Sequence, residues 1–252
     1  MGNMHHSVSA WDTLGAILLL GWAGAMWAAV AVLAVANRRR VRPWVFHGAA
    51  GVIGIGLIGQ VGHLQEHAAQ AGYWIAHPNS KPWMTAWGDS LARGYGQIDP
   101  SKPSLGMEIL HLTGNFIFLA GLAGVVLITA RARKTQAHRW GKMGVWMQGI
   151  HGLEHVALTL SVALGANRAI GLSTWFGTLP VGPGLWTYRV WWHALANLVG
   201  SIVFGIAVYR LWQERATVRA SFGLTDAPAT PTVKEPVLAP ASRPVADAAG
   251  VR

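Results

Sequence analysis

Long apolar runs, not two-residue alternation or narrow helical stripes, dominate the chain up to about residue 216. Runs of about 18 or more apolar residues read as bilayer-crossing helices, because only a helix satisfies its own backbone hydrogen bonds within hydrocarbon. Five such helices are expected at roughly 12–36, 48–72, 105–130, 142–165 and 187–211. The expected fold is therefore all-α and integral to the membrane, with a five-helix domain over 1–216. Trp11, Trp44, Trp140, Trp186, Trp191 and Trp192 lie near the expected helix ends, where amphipathic rings prefer the headgroup level. The stretch Pro43-Trp44-Val45-Phe46-His47 reads as an interfacial lead-in to the second helix. A loop over about 73–104 carries Trp74, Trp83, Trp87 and Tyr95, and so many aromatics point to a folded cap. From about Thr217 to residue 252, Ala, Pro, Thr and Val without periodicity, including Pro228, Pro231, Pro236, Pro240 and Pro244, predict a disordered tail.

The polar positions inside the apolar runs are patterned. The second helix reads Gln60-Val61-Gly62-His63-Leu64-Gln65-Glu66-His67, and the fourth reads Gln148-Gly149-Ile150-His151-Gly152-Leu153-Glu154-His155. Both are Q-x-x-H-x-x-E-H. Each copy is followed by H-x-x-x-N, as His111 to Asn115 in the third helix and His193 to Asn197 in the fifth. Two halves, about 44–130 and 140–212, thus form a parallel internal repeat about an axis along the membrane normal. At about 100° per residue, Gln60, His63, Glu66 and His67 fall within roughly 120° of one helix face, as do their counterparts. Counting residues at about 1.5 Å each from the helix ends places His67, His111, His155 and His193 in the outer half of the bilayer, on four helices that can converge on one centre with six His and two Glu. The glycines Gly51, Gly54, Gly56, Gly59, Gly121 and Gly124 read as close helix packing.

Composition narrows the chemistry. The charged fraction is 12%, the mean hydropathy +0.33 and the net charge +10. The basic residues flank helix ends, so they report membrane topology and not nucleic-acid binding. Arg38, Arg39, Arg40 and Arg42, then Arg131, Arg133, Lys134, Arg139 and Lys142, then Arg210, Arg215 and Arg219 mark three cytoplasmic segments. This predicts a multi-pass cell-membrane protein with its N-terminus outside and C-terminus inside. The start lacks the positive n-region of a secretory signal, so the first helix is expected to stay uncleaved. The chain contains no cysteine, which excludes disulfides, iron–sulfur clusters and thiolate-bound zinc.

Ionisable groups at mid-membrane cost about 2.5–3.5 kcal/mol each on insertion scales, whereas interhelical hydrogen bonds return only about 0.6 kcal/mol. Packing alone does not explain six histidines and two glutamates. Metal ligation does, with His63, Glu66, His67, His111, His151, Glu154, His155 and His193 as ligands. Gln60, Gln148, Asn115 and Asn197 are expected to fix imidazole tautomers from behind. Glu108 lies one turn before His111, and its counterpart is Val190, so it breaks the symmetry and is a catalytic candidate beside Glu66 and Glu154. His47, His77 and His138 fit interfacial surface histidines, His5 and His6 a solvated terminus, and Asp89, Arg93 and Asp99 a solvated loop face.

Nitrogen and oxygen ligands in a dry pocket suit a dinuclear iron or copper centre that oxidises a small or lipophilic substrate, with zinc less suited for lack of a water route and a redox partner as a further expectation. The histidine pattern resembles the His-rich membrane desaturases and hydroxylases, although those carry H-x-x-x-H and H-x-x-H-H boxes on cytoplasmic segments. The Ala, Gly, Arg and Trp richness is similar to small multi-pass membrane proteins of actinobacterial specialised-metabolite clusters. That resemblance implies nitrogen–nitrogen bond or diazo formation, as in antibiotic biosynthesis. Two alternatives remain: a b-type haem electron-transfer protein, which it resembles in having four His-bearing helices, and a proton-coupled transporter built on the parallel repeat.

Overall fold

The structure, a computed structural model, describes residues 8–39, 41–78, 80 and 83–224, and of Leu57 the backbone alone. His5 and His6, Arg40 and the Pro-rich stretch beyond residue 224 lie outside these residues. Seven α-helices and one short 3-10 turn make up the described chain, and no strand occurs among the described residues. The long helices are α1 (Ala10–Arg38), α2 (Pro43–Ala76), α4 (Leu105–Ile128), α5 (Gln136–Ala163) and α6 (Pro183–Gln213). Two short ones are α3 (Ala86–Gly96) and α7 (Arg215–Ser221).

Local chemistry sets these ends. Ser9 and Asp12 form a reciprocal capping box that starts α1, while Thr85 and Thr135 cap α3 and α5 through their hydroxyls. Proline opens α2 and α6, where its missing N–H costs nothing. The expected lead-in at Pro43–His47 is therefore the first turn of α2 itself. Helices α1, α2, α4 and α6 are long and apolar enough to cross a membrane. Their outward faces carry Ile17, Leu18, Ile58, Val61, Leu195 and Ile202, all exposed, as suits a lipid-facing surface.

Helices α2, α4, α5 and α6 form a ring in which each packs on the next. Helix α1 lies outside it against α2 and α4, and α3 packs over α1 and α4 as a cap on the 77–104 connection. That cap is tied down by charge: the Arg93 guanidinium donates to both Asp12 carboxylate oxygens at 3.2 Å, and Ser90 also donates to Asp12. Arg93 thus locks α3 to α1 instead of standing free on a solvated face. Asp89 pairs with Arg93 as well, and hydrogen bonds from Lys102 and then Ser101 hold the exposed Asp99 carboxyl down to about 2.

The half of the ring where α1, α4 and α6 end is sealed by apolar side chains. Met26, Leu33, Phe46, Ile53 and Ile117 fill the α1–α2–α4 seam, and Phe118, Leu122, Val125 and Phe204 the α4–α5–α6 seam. Gly56, Gly59, Gly121 and Gly124 allow close approach as expected, against Met26, Trp22, Phe204 and Ile53, whereas a side chain at Gly51 or Gly54 would meet nothing within 4 Å. At this end Glu214 accepts from the Gln136 and Ala137 amides at 2.9 Å, and the Phe222 ring lies 4.6 Å from that of Phe46. Order therefore extends past Thr217, because Val218 and Phe222 have an apolar seam to fill.

Candidate histidine centre

The opposite half of the ring holds the polar residues. His67, His155 and His193 are almost fully buried, and His63, His111 and His151 partly so. All six rings form one connected cluster. His63 and His67 have ring centroids 4.8 Å apart, as do His151 and His155. His67 lies 5.6 Å from His111 and 5.9 Å from His193, and His155 lies 5.1 Å from His193 and 5.8 Å from His111. His111 and His193 are 6.0 Å apart, and His151 and His193 5.9 Å. The sequence reading had these six histidines converge, and they do.

The backbone fixes two of the tautomers. His111 Nδ1 lies 2.9 Å from the Met107 carbonyl, and His193 Nδ1 lies 2.8 Å from the Arg189 carbonyl. A carbonyl can only accept, so each Nδ1 carries the proton and each Nε2 keeps its lone pair. His193 Nε2, His151 Nε2 and both nitrogens of His155 are buried without a hydrogen-bond partner. His63 Nε2 and His67 Nε2 face each other at 2.9 Å. Buried nitrogens without partners cost about 1–3 kcal/mol each, so a core that keeps several of them in one place invites an electrophile. Among the described residues, no group of three or more His, Asp or Glu side chains closes to metal-holding distance.

The glutamates do something other than what their position beside the histidines suggests. Glu66 accepts from the Thr85 amide and from Gln70 at 3.0 Å, and from the Thr85 hydroxyl. Glu154 accepts from the Leu172 and Ser173 amides at 2.6 and 2.7 Å. Each carboxylate thus bolts a connecting loop onto the end of its helix, and Gly88 and Gly171 pass close enough that a Cβ would crowd the carboxylate at 3.0 and 2.7 Å. Both oxygens of each accept hydrogen bonds, so in this structure Glu66 and Glu154, expected as metal ligands and catalytic groups, clamp loops. The amides differ from expectation too. Asn115 and Asn197 donate to the carbonyls of His111 and His193, Gln148 donates to Asn115, and Gln60 donates to Ser201. None of these bonds reaches an imidazole; the tautomers of His111 and His193 are set by backbone carbonyls one turn earlier.

Glu108 is buried, with one oxygen 3.0 Å from the Arg189 guanidinium and the other, Oε2, without a partner. Residues 1–243 match the family of unknown function DUF6008. The chain belongs to DUF6008. No curated protein and no solved structure matches it. For this DUF6008 chain, the reading of residues therefore stands on its own geometry.

Two hollows reach the cluster. One, of about 440 Å³, lies among α1, α2, α3 and α4 and ends on His63, His67 and His111. The other, of about 250 Å³, lies under the connecting loops and runs past Glu108, Arg189 and Arg168 to His111 and His193. Arg189 went unrecognised in the sequence, although its signal is there: an arginine one turn before His193 inside an apolar run, where a charge needs a partner. Thr85 and the Leu172–Ser173 amides carried no signal, since they reach the glutamates only through the fold.

Proposed function

We propose that the chain is an integral membrane metalloprotein whose six histidines hold a transition-metal centre, most suitably a copper pair, and that the centre does oxidative chemistry on a small molecule. The observation that carries this reading is the convergence of six imidazoles from four helices on one place, where ring nitrogens of His151, His155 and His193, on α5 and α6, are buried without a partner. His63 and His67, whose Nε2 atoms share a hydrogen bond at 2.9 Å, would be among the residues that hold the metal. With the carboxylates engaged elsewhere, the donor set is all imidazole. That favours copper over non-haem iron, whose oxygenase sites use a carboxylate. A copper pair would supply one-electron redox steps; Glu108, beside the polar hollow and partnered by Arg189, is placed to take up the protons released, and a redox partner or oxidant must remove the electrons.

Five spans and a parallel repeat complete the proposal. Helix α5 is less apolar on average because it carries Arg139, Lys142, Gln148, His151, Glu154 and His155, yet Trp146, Ile150, Leu153 and Leu160 are exposed on it while Gln148, Glu154 and His155 are buried. That polarity split suits a helix with its back to lipid. The repeat is supported by ring distances that pair off between halves, 5.9 with 5.8 Å and 5.6 with 5.1 Å, and by the matching loop clamps of Glu66 and Glu154. In this topology the N-terminus and both clamped loops are outside and the C-terminus is cytoplasmic.

A haem centre is the rival with a defined signature. Five of the six rings touch at least two others, so a porphyrin would have to separate them. The protein purified in detergent is expected to contain stoichiometric transition metal and to show no Soret band. A Soret band, or no bound metal, would overturn the proposal.

A further inference from the structure

The larger hollow has a chemical character that narrows what it takes. Its wall is built from apolar side chains, Trp22, Ile58, Met84, Leu110 and Ile117 among them, and among the described residues no Lys or Arg lines it. Its polar residues are mostly committed elsewhere: Glu66 to Thr85 and Gln70, and Gln65 to the Trp87 indole N–H at 3.3 Å. What remains for an occupant are the imidazoles of His63, His67 and His111 at the closed end. The Trp22 Nε1–H adds a buried donor with no partner. The rim lies on the flank that faces outward from the bundle, where Ile58 is 69% exposed. Glycine makes the space: a Cβ on Gly62 would meet no atom within 4 Å, while one on Gly114 would meet His63 Nδ1 at 2.7 Å.

We infer that this hollow binds a neutral, lipid-soluble organic molecule with an apolar body and one oxygen function, which enters sideways from the membrane and presents its oxygen end to His63, His67 and His111. Its 440 Å³ falls within the about 300–1,000 Å³ of small-molecule sites. A charged solute is disfavoured here, because among the described residues no Lys or Arg of the wall offsets its desolvation. Polar species have the other hollow, lined by Arg168, Arg189 and Glu108, so the two routes sort reactants by polarity before they meet at His111. As a binding site the hollow stands on its own lining; as a substrate site it rests on the metal-centre reading above.

The test uses the full chain in lipid nanodiscs with a diazirine-bearing long-chain alcohol as photoreactive probe. Crosslinks are mapped by peptide mass spectrometry, and metal content is measured on the same samples. Label is expected on Met84 and on Leu110, which is only 8% exposed and out of reach of bulk lipid. In Gly62→Leu, whose Cβ meets no atom within 4 Å, label at Leu110 should fall about tenfold, while lipid-facing Ile55 and Ile150 label as before. Ile58→Trp at the exposed rim is the second blocking variant, should the first fold poorly. No label at Leu110, or label unchanged in both variants, would overturn the inference. Specific labelling without any bound metal would uphold the binding site and sink the metal centre, so the two fail separately.

Discussion

At the scale of single residues, the centre depends on which polar atoms are free and which are spent. Glu66 and Glu154 are spent on loops, so Glu66→Gln and Glu154→Gln should each lower stability by about 1–3 kcal/mol, measured by thermal unfolding in detergent, and leave metal content intact. Loss of metal with no loss of stability would return them to the ligand set. Gly114 offers the reverse test, because Gly114→Ala alters no donor yet drives a methyl to 2.7 Å from His63 Nδ1. His63 must move, so metal content should fall although every histidine remains. The helix periodicity already placed the histidines together, since spacings of three and four share a face. The roles of the glutamates and amides were not legible there. Spacing along one helix does not say that Thr85 or the Leu172 amide arrives from a loop 18 or 19 residues away.

At the scale of helices, the apolar runs foretold five long helices with ends off by up to six residues, and four of them are long and apolar enough to cross a membrane. The short α3 was foreseen only as a folded cap. Its 11 residues are amphipathic but far too short and too polar to register as an apolar run, and it is held by Thr85 and by Arg93 reaching Asp12 across 81 positions. The proposed orientation is testable because the chain has no native cysteine. Ser101→Cys, on the exposed α3–α4 connection, should react with a membrane-impermeant maleimide on intact cells. Lys134→Cys, between α4 and α5, should react only after permeabilisation. The opposite pattern would invert the topology, and labelling of both on intact cells would remove α4 from the set of spanning helices.

For the whole molecule, the two ends of the ring do different work. The end where α4 and α6 finish is closed by Phe118, Leu122 and Phe204, while the other end keeps histidines, an ion pair and two hollows under loops clamped by carboxylates. His67 stacks on His193 and His111 on His155, joining α2 to α6 and α4 to α5, which fits the proposal of one shared centre over two separate sites. The most direct measurement is the metal-to-protein ratio of the full chain and of His67→Ala and His155→Ala, each reconstituted with copper and desalted. A shared centre predicts that the wild type retains stoichiometric metal and that either single substitution lowers the whole of it. A wild type that holds no metal, or variants that each lose an independent half, would contradict it.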